Sequence, residues 1–462
     1  MSAPSDIVVL GLGTSGFAAA WYCAERMPGE FSSVTVVDAS DSEVMRARAE
    51  TLRALGARVE LGVESAEGRF DVCVASPGIP PHSAIMKWAR DVSGEVISEI
   101  QFAYERSDNV WVAVTGTNGK TTTTSLVAHL LGTGGVPAQA VGNIGSAAIT
   151  AVADGTNDVL VAEVSSFQLA LTTTFRPRVA VLLNITPDHV DWHGSLERYA
   201  EDKARVLANL GPGDTAVIDV DDPGSAAYAT RAGEGGAAVV RVGLGGSIVP
   251  DACLVDGVLT LRSADHGPQP LVAIDELLIR GAHNVSNALA ASAAVAALGV
   301  RLEDIRRGLR TFDAIEHRLE PCGVVNGVEW FNDSKATNPD AVLKALGAFT
   351  DRPVVVLLGG RNKGSDFHEL ARAVREQAQA AVLFGESREE LSRAFADVAE
   401  ADEDFPVEVR STMHEAIVTA ADIAEEGDAV VLSPACASFD EFDNYEQRGR
   451  VFKSAVAELG RC

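Results

Sequence analysis

A run of small residues, hydroxyls and one lysine, Thr115 to Thr122, has the composition and order of a phosphate-binding loop. The apolar residues before it predict a strand, and residues 122–131 predict a helix. In such a turn, backbone N–H groups wrap around a phosphate chain. Lys120 would neutralise the outer phosphates of ATP, and the Thr121 hydroxyl would bind Mg²⁺. Because Val114 stands where the usual pattern has its first glycine, the sequence predicts a variant phosphate loop. The residues predicted to contact the nucleotide here are Gly116, Thr117, Asn118, Gly119, Lys120, Thr121 and Thr122.

Acidic and imidazole side chains follow two further apolar runs and are candidates for a metal site. Glu163 ends the run that begins at residue 159, and His189 follows the run at 179–183. Side chains at the carboxyl ends of parallel strands lie beside the ligand crevice of an open α/β sheet. Together with the Thr121 hydroxyl, Glu163 and His189 would hold Mg²⁺. For His193, a metal ligand and an ordinary loop histidine are equally open.

Lys203 occupies an unusual position on a predicted helix that Ser195 would cap. It lies four residues after Tyr199 and three before Val206, on the apolar stripe of that helix. One interpretation is that the lysine extends along the stripe to solvent. The other is burial, which lowers the pKa of a lysine and leaves a reactive neutral amine. Carbamylation of that amine by CO₂ would make Lys203 a further, carboxylate-like metal ligand.

A second nucleotide motif lies at the N-terminus. Gly11 to Gly16 match the G-x-G-x-x-G fingerprint, with Asp38 some twenty residues further on. This turn is a backbone cradle for a pyrophosphate, and alone it would predict an NAD-dependent dehydrogenase. A dehydrogenase leaves Lys120 and Glu163 without a purpose. A phosphoryl-transfer enzyme whose substrate carries a nucleotide would use both phosphate sites.

Alternating strand and helix patterns predict an α/β protein of three domains. Two Rossmann-like parallel-sheet domains, residues 1–108 and 316–462, would flank a central ATP-binding α/β domain with the variant phosphate loop, residues 109–315. The length of 462 residues suits this number of domains.

The net charge, the cysteines and the apolar runs limit the classes of protein and the cellular locations that suit this sequence. A net charge of -27 argues against broad binding to nucleic acid or to a membrane surface. The six cysteines show no metal spacing, which predicts reduced thiols and a cytoplasmic protein. A strand is predicted already at Ile7, so we expect no signal peptide, and no apolar run is long enough to span a bilayer. We expect a monomer.

Motifs in the order of one enzyme family extend along nearly the whole chain. General motifs are Thr115–Thr122, Asn143, Glu163, His189, residues 283–287 and His317-Arg318. More selective motifs are residues 332–338, 359–367, 433–440 and 445–449. Together they resemble the Mur ligases of peptidoglycan synthesis. The selective motifs resemble the branch that adds D-glutamate to UDP-N-acetylmuramoyl-L-alanine.

The resemblance implies a role for each domain. The first would bind the UDP-substrate, with Asn143 of the central domain also contacting it; the residues concerned are Gly11, Gly13, Thr14, Ser15, Asp38, Gly78 and Asn143. The central domain would bind ATP and Mg²⁺, with Asn284 and Asn287 near the adenine and Arg318 and Asp333 closing over the nucleotide. The third would bind D-glutamate through Lys335, Thr337, Lys363, Ser438, Phe439 and Tyr445.

The implied reaction is ATP-dependent formation of an amide. The substrate carboxylate would attack the γ-phosphate to give an acyl phosphate, which the amine of D-glutamate then attacks. Lys120, His189 and Lys203 are the catalytic candidates. A ligase for another amino acid, of the Mur or folylpolyglutamate type, is the alternative in the same class. A nicotinamide dehydrogenase and an NTP-driven switch are the alternatives outside it.

Overall fold

A computed structural model describes residues 5–245, 250–263, 267–313, 316–349, 352–399 and 405–460. The chain divides into two compact units: Met1–Ala273 with Ser286–Leu309, and Ile274–Val285 with Arg310–Cys462. The described residues form three mainly parallel sheets, which confirms the predicted α/β class. The predicted boundary between the second and third domains, at residue 315, lies outside the described residues. The three domain ranges therefore stay a prediction.

The N-terminal sheet is parallel throughout, in the order β3-β2-β1-β4-β5 across the described strands. Its central strands are apolar and buried because helices cover both faces. The strand order reverses between β1 and β4, which creates a ligand crevice at their carboxyl ends. The strands are β1 (Ser5–Leu10), β2 (Phe31–Asp38), β3 (Arg58–Leu61), β4 (Phe70–Ala75) and β5 (Ser93–Ser98). The helices are α1 (Thr14–Ala24), α2 (Glu43–Ala54), α3 (Ala84–Val92) and α4 (Glu99–Tyr104).

The second sheet carries the phosphate loop. Its described strands have the order β14-β13-β12-β11-β10-β9-β6-β8-β7, and only β12 to β14 pair antiparallel. The strands are β6 (Val110–Thr115), β7 (Ala138–Gly142), β8 (Val159–Glu163), β9 (Val179–Leu182), β10 (Thr215–Asp219), β11 (Ala238–Gly243), β12 (Ala252–Val255), β13 (Val258–Ser263) and β14 (Gly267–Ala273). Because β6 lies between β8 and β9, the loops that follow these three strands are neighbours.

Helices connect the strands of this sheet and follow its last strand. They are α5 (Lys120–Thr133), α6 (Ala148–Asp154), α7 (Ser166–Leu169), α8 (Val190–His193), α9 (Leu196–Ala204), α10 (Pro223–Ala226), α11 (Ala229–Gly233), α12 (Ala282–Ala297) and α13 (Leu302–Thr311), with 3-10 turns at Arg205–Leu207 and Ile274–Glu276. Helix α5 follows the loop as predicted, but it begins at Lys120, two residues before the predicted start at residue 122.

The third sheet has the order β15-β16-β20-β17-β18-β19 in the described ranges, with β15 antiparallel at its edge. Apolar clusters on its two faces bury it between helices. The strands are β15 (Glu320–Val325), β16 (Val328–Asn332), β17 (Val354–Gly359), β18 (Ala380–Phe384), β19 (Val407–Val409) and β20 (Ala429–Ala435). The helices are α14 (Pro339–Leu346), α15 (His368–Gln377), α16 (Arg388–Asp397), α17 (Met413–Ile423) and α18 (Tyr445–Leu459).

Two negative findings apply to the described residues. No helix among them combines the length and the apolar character needed to cross a bilayer. All five of their cysteines are free thiols.

Helix α4 joins the first two sheets through buried polar contacts. The Gln101 Oε1 atom accepts hydrogen bonds from the backbone N–H groups of residues 173, 174 and 175, at 3.0, 3.2 and 3.1 Å. The Glu99 Oε1 atom accepts from the Ile149 N–H at 2.7 Å, at the start of helix α6. Burial raises the pKa of Glu99 to about 7, although backbone N–H groups of residues 148 and 149 oppose this shift.

We expect the pH dependence of stability to change in Glu99→Gln. The folded state holds a proton on Glu99 up to about pH 7, whereas the unfolded chain releases it near 4.5. The favourable contribution is therefore complete below pH 4.5 and is lost as the pH rises through 7. Glutamine cannot ionise. The free energy of unfolding of Glu99→Gln, relative to that of wild type, should therefore rise by about 1–3 kcal/mol between pH 4.5 and 8.

Urea unfolding at several pH values measures this difference. Glu50→Gln, at an exposed carboxylate of helix α2, is the control and should parallel wild type. Parallel pH curves for Glu99→Gln and wild type would contradict the buried, proton-holding carboxyl.

Candidate active site

The phosphate loop is held by the loop that follows β9. The Thr117 N–H donates to the Asn184 carbonyl at 2.8 Å, and the Asn118 N–H donates to Asn184 Oδ1 at 2.8 Å. The Asn184 amide donates back to the Asn118 carbonyl at 3.1 Å. The Thr117 hydroxyl accepts from the Thr186 N–H at 3.0 Å and lies 2.9 Å from the Tyr199 hydroxyl. These bonds fix the backbone conformation of a loop that sequence alone marks only by its composition.

Gly119 is required by both conformation and space. It has φ +82°, in the left-handed region, and stands directly before helix α5. A Cβ atom at this position would overlap Oδ1 of the buried Asn287. The structure thus brings Asn287 against the phosphate loop. Asn284 belongs to the other compact unit, where its side-chain amide donates to the Arg280 carbonyl at 2.8 Å.

Two lysine side chains meet at one carbonyl of the loop. Lys120 Nζ donates to the Gly116 and Thr117 carbonyls at 2.9 and 2.8 Å. Lys203 Nζ donates to the same Gly116 carbonyl at 2.7 Å and lies 4.6 Å from the centre of the Tyr199 ring. Lys203 is only 2% exposed, so it does not extend to solvent. Of the two interpretations of its place on the apolar stripe, the structure agrees with burial.

The environment of Lys203 favours a neutral amine. Burial lowers its pKa well below the usual value of 10.5, and the positive charge of Lys120 lowers it further. The carboxylates of Asp188 and Glu163 act in the opposite direction. A lysine held between these groups is the type of amine that reacts with CO₂, while carbamylation itself stays a prediction.

The residues predicted for Mg²⁺ lie at neighbouring strand ends. Glu163 ends β8 and is buried, and its Oε1 atom accepts from the Asn143 side-chain amide at 2.9 Å. Thr121, in the first turn of α5 after β6, is also buried. His189 has φ +51°, and its N–H donates to Asp188 Oδ1 at 2.9 Å. A carboxylate and a hydroxyl are oxygen donors of the kind that Mg²⁺ prefers, so this set fits the ion.

A second group of possible metal ligands lies elsewhere in the described chain and was not anticipated. The ligand atoms of Glu316, His317 and Glu320 lie within 4.8 Å of one another. Lys453 Nζ donates to Glu316 at 2.7 Å and to Glu320 at 2.8 Å, so an ammonium group already compensates the two carboxylates.

His193, left open by the sequence, is bound by protein atoms on both sides of its ring. Nδ1 lies 2.9 Å from Asp202 Oδ2, and Nε2 lies 2.9 Å from the Ser166 hydroxyl. Both ring nitrogens are therefore used, and the interpretation of His193 as a metal ligand does not agree with this structure.

The N-terminal glycine-rich turn is held by the side chain of Asp38. Asp38 Oδ2 accepts from the Leu12 N–H at 2.5 Å, and Oδ1 accepts from the Ser40 N–H at 2.7 Å, so this carboxylate supports the turn itself. A Cβ atom at Gly13 or Gly78 would meet nothing within 4 Å. The predicted residues Gly11, Thr14 and Ser15 belong to the same turn and to the start of helix α1, with Thr14 exposed.

The residues predicted for D-glutamate lie on loops of the third sheet. Lys335 Nζ lies 5.2 Å from the centre of the Tyr445 ring. Ser438 is buried, whereas Phe439 is 62% exposed. Thr337 is half-buried and Lys363 is exposed, and the structure leaves the role of each as a prediction.

Arg448 joins two of these loops and was not predicted. Its Nε atom donates to the Ser334 hydroxyl at 2.9 Å, one terminal nitrogen donates to the Ser334 carbonyl at 2.8 Å, and the other donates to the Cys436 carbonyl at 3.1 Å. The guanidinium group is fully buried, and burial lowers its pKa to about 10. The only signal in the sequence is an arginine within the motif at 445–449.

Asp333 and Arg318 lie near each other in the same unit. Asp333 Oδ2 accepts from the Ser433 hydroxyl at 2.8 Å. Burial raises the pKa of Asp333 to about 7, while the Ser433 hydrogen bond and the Arg318 charge act to lower it.

Comparison with known proteins identifies the family. The Mur ligase middle domain matches residues 114–295, and the Mur ligase glutamate ligase domain matches residues 317–436. The chain belongs to the Mur ligase family. The resemblance seen in its motifs is therefore confirmed.

Two relatives that are similar over nearly the full length carry the same name. The chain is 40% identical to the UDP-N-acetylmuramoylalanine–D-glutamate ligase of Pelotomaculum thermopropionicum, covering 98% of this chain and 97% of that protein. It is 42% identical to the protein of the same name from Salinibacter ruber, again covering 98% and 97%.

Solved Mur ligases share the fold. The MurF ligase of Thermotoga maritima in complex with ADP aligns with a TM-score of 0.62 at 17% identity, over 92% of this chain and 95% of that one. The UDP-N-acetylmuramate-alanine ligase MurC of the same organism aligns with a TM-score of 0.61 at 19% identity, over 98% and 99%.

We expect Gly119→Ala to lower ATP turnover by about a hundredfold, since the new Cβ would displace Asn287 or the loop. Gly135→Ala is the matched control: Gly135 has φ +79°, but a Cβ there meets nothing within 4 Å. Phosphate release measures both variants. Equal losses would show that backbone strain, rather than the contact with Asn287, is responsible.

We expect Lys203→Ala to lower turnover by about two orders of magnitude while the fold persists. If a carbamate forms on Lys203, bicarbonate or short carboxylates should restore part of the activity in the variant and have no effect on wild type. Intact-mass measurement under CO₂ tests the modification directly. An unmodified lysine without rescue would leave it a hydrogen-bonded amine.

Proposed function

We propose that this protein catalyses ATP-dependent addition of D-glutamate to UDP-N-acetylmuramoyl-L-alanine in peptidoglycan precursor synthesis. The observation that carries the proposal is near full-length similarity to relatives named as D-glutamate ligases of this substrate. A phosphate loop whose Gly116 carbonyl accepts from both Lys120 and Lys203, with Glu163 at the end of the neighbouring strand β8, supports an ATP-using reaction. Free cysteines support a cytoplasmic location.

Each domain would bind one of the three substrates, as the motifs indicate. Residues 1–108 would bind the UDP group in the crevice at β1 and β4. Residues 109–315 would bind ATP and Mg²⁺, with Asn287 beside the loop. Residues 316–462 would bind D-glutamate, and Arg448 would hold the loops of that site together.

The chemistry requires charge compensation and a fixed geometry. The alanyl carboxylate attacks the γ-phosphate, giving an acyl phosphate and ADP, and the amine of D-glutamate then attacks the acyl carbon and displaces phosphate. Lys120 would place its positive charge against the phosphates. Thr121, Glu163 and His189, with Lys203 if it is carbamylated, would hold Mg²⁺, which when bound reduces repulsion between the anions. Asn143, which donates to Glu163, would fix that carboxylate.

Phosphate release from ATP, measured with UDP-N-acetylmuramoyl-L-alanine and a panel of amino acids, tests the proposal. D-Glutamate should support release, and L-glutamate and D-aspartate should not. Lys120→Ala should be inactive although folded. Release with a different amino acid would instead indicate a ligase of another branch, and binding of NADH would indicate a dehydrogenase.

We expect Lys363→Ala to raise the KM for D-glutamate about tenfold or more, because a carboxylate would lose its charged partner. The KM for ATP should change little, since Lys363 and the phosphate loop belong to different sheets. Steady-state kinetics with each substrate varied in turn makes this distinction. Lys87→Ala, at an exposed lysine of helix α3, is the control, and a variant that lost ATP affinity instead would contradict the assignment of Lys363.

A further inference from the structure

A buried hydrogen-bonded chain runs from helix α9 through α8 to α7. Asp202 Oδ2, at the C-terminal end of α9, lies 2.9 Å from His193 Nδ1, and His193 Nε2 lies 2.9 Å from the Ser166 hydroxyl. Arg198 and Arg205 lie 3.4 Å from the two carboxylate oxygens and anchor the acidic end.

The order serine, histidine, aspartate is that of a nucleophilic triad, but access excludes that chemistry. Ser166 is 2% exposed, and the side chain of His193 is fully buried. A substrate carbonyl therefore cannot reach the hydroxyl. The three hydrogen-bonded side chains therefore hold parts of the protein in place and do not react with a substrate.

Each member of the chain lies close in sequence to a predicted metal-site residue. Ser166 follows Glu163 by three residues, His193 follows His189 by four, and Asp202 directly precedes Lys203. Ser166 lies in the connection between β8 and β9, whereas His193 and Asp202 lie on successive short helices of the connection between β9 and β10. The two hydrogen bonds cross-link these segments. A displacement of one segment would break a buried bond, whose polar atoms would be left without partners.

Aromatic packing extends the same link to His189. The ring of Phe167 stacks on His193 with centroids 5.5 Å apart and an interplanar angle of 18°. Its edge meets the ring of His189 at 4.8 Å and 61°. The imidazole of His189 thus rests against a ring that His193 holds in place.

We propose that His193, with Asp202 and Ser166, is a positioning residue that fixes Glu163, His189 and Lys203 in the arrangement needed to bind Mg²⁺ with the nucleotide. This inference rests on the proposed function. In this role His193 does not contact the substrate. It changes the affinity for the metal, because residues that contact the metal ligands orient them.

The test compares Ser166→Ala and His193→Gln with wild type. Ser166→Ala removes one hydroxyl and is the variant that should fold normally. Titration of the enzyme–ADP complex with Mn²⁺, followed by electron paramagnetic resonance, measures metal affinity independently of catalysis. The Mg²⁺ dependence of phosphate release and the KM for D-glutamate are measured in parallel.

In both variants we expect the Mn²⁺ dissociation constant and the half-saturating Mg²⁺ concentration to rise about tenfold or more. The KM for D-glutamate should stay within about twofold. His129→Gln is the matched control: His129 also forms a hydrogen bond, 3.1 Å to the Gly308 carbonyl, but on helix α5 away from the chain. His129→Gln should leave the affinity for the metal unchanged.

Unchanged Mn²⁺ affinity in Ser166→Ala and His193→Gln, with only a lower melting temperature, would overturn the positioning role. Glu163→Gln distinguishes an error in the positioning role from an error in the metal site itself. If that variant weakens Mn²⁺ binding and the other two do not, the positioning role alone is wrong. If Glu163→Gln has no effect either, the metal site of the proposed function is wrong, and the positioning role with it.

Discussion

The carbonyl of Gly116 accepts hydrogen bonds from two lysines, and the rest of the central site is arranged around this contact. Two ammonium groups so close repel each other in a buried setting, and burial makes the repulsion stronger. The repulsion is reduced when Lys203 gives up its proton and when Asp188 and Glu163 stand nearby. A loop that receives anionic phosphates therefore carries both a charged lysine, Lys120, and a buried one beside it.

Local features of this site were readable from the sequence because they depend on neighbours in the chain. The strand, loop and helix around Lys120 follow from a continuous pattern of residues. The place of Lys203 on an apolar stripe made burial one of two interpretations. Glu163 at the end of β8 is predictable for the same reason. The α/β class follows from the alternation of strands and helices.

Other parts of the site depend on strand order, which the pattern does not contain. Asn184 reaches the phosphate loop only because β9 pairs with β6. The partners of His193 lie nine residues after it and twenty-seven before it, and no local spacing relates them. Arg448 lies 114 residues from Ser334, and a buried arginine is not expected from composition. The roles assigned to Lys335, Thr337 and Lys363 come from motif resemblance, since their exposed or half-buried setting does not indicate a ligand.

The burial of Lys203 also gives the protein an internal chemical reporter. Amine-reactive reagents acylate neutral amines and spare ammonium groups, so at neutral pH most lysines on the surface react slowly. Lys203 combines a depressed pKa with almost no accessible surface. Burial causes this shift, so a Lys203 released to solvent would regain an ordinary pKa. Its labelling rate would therefore report the fraction of time for which the loop around Gly116 leaves it exposed. A single side chain thus allows the opening of the nucleotide loop to be followed in solution without any engineered probe.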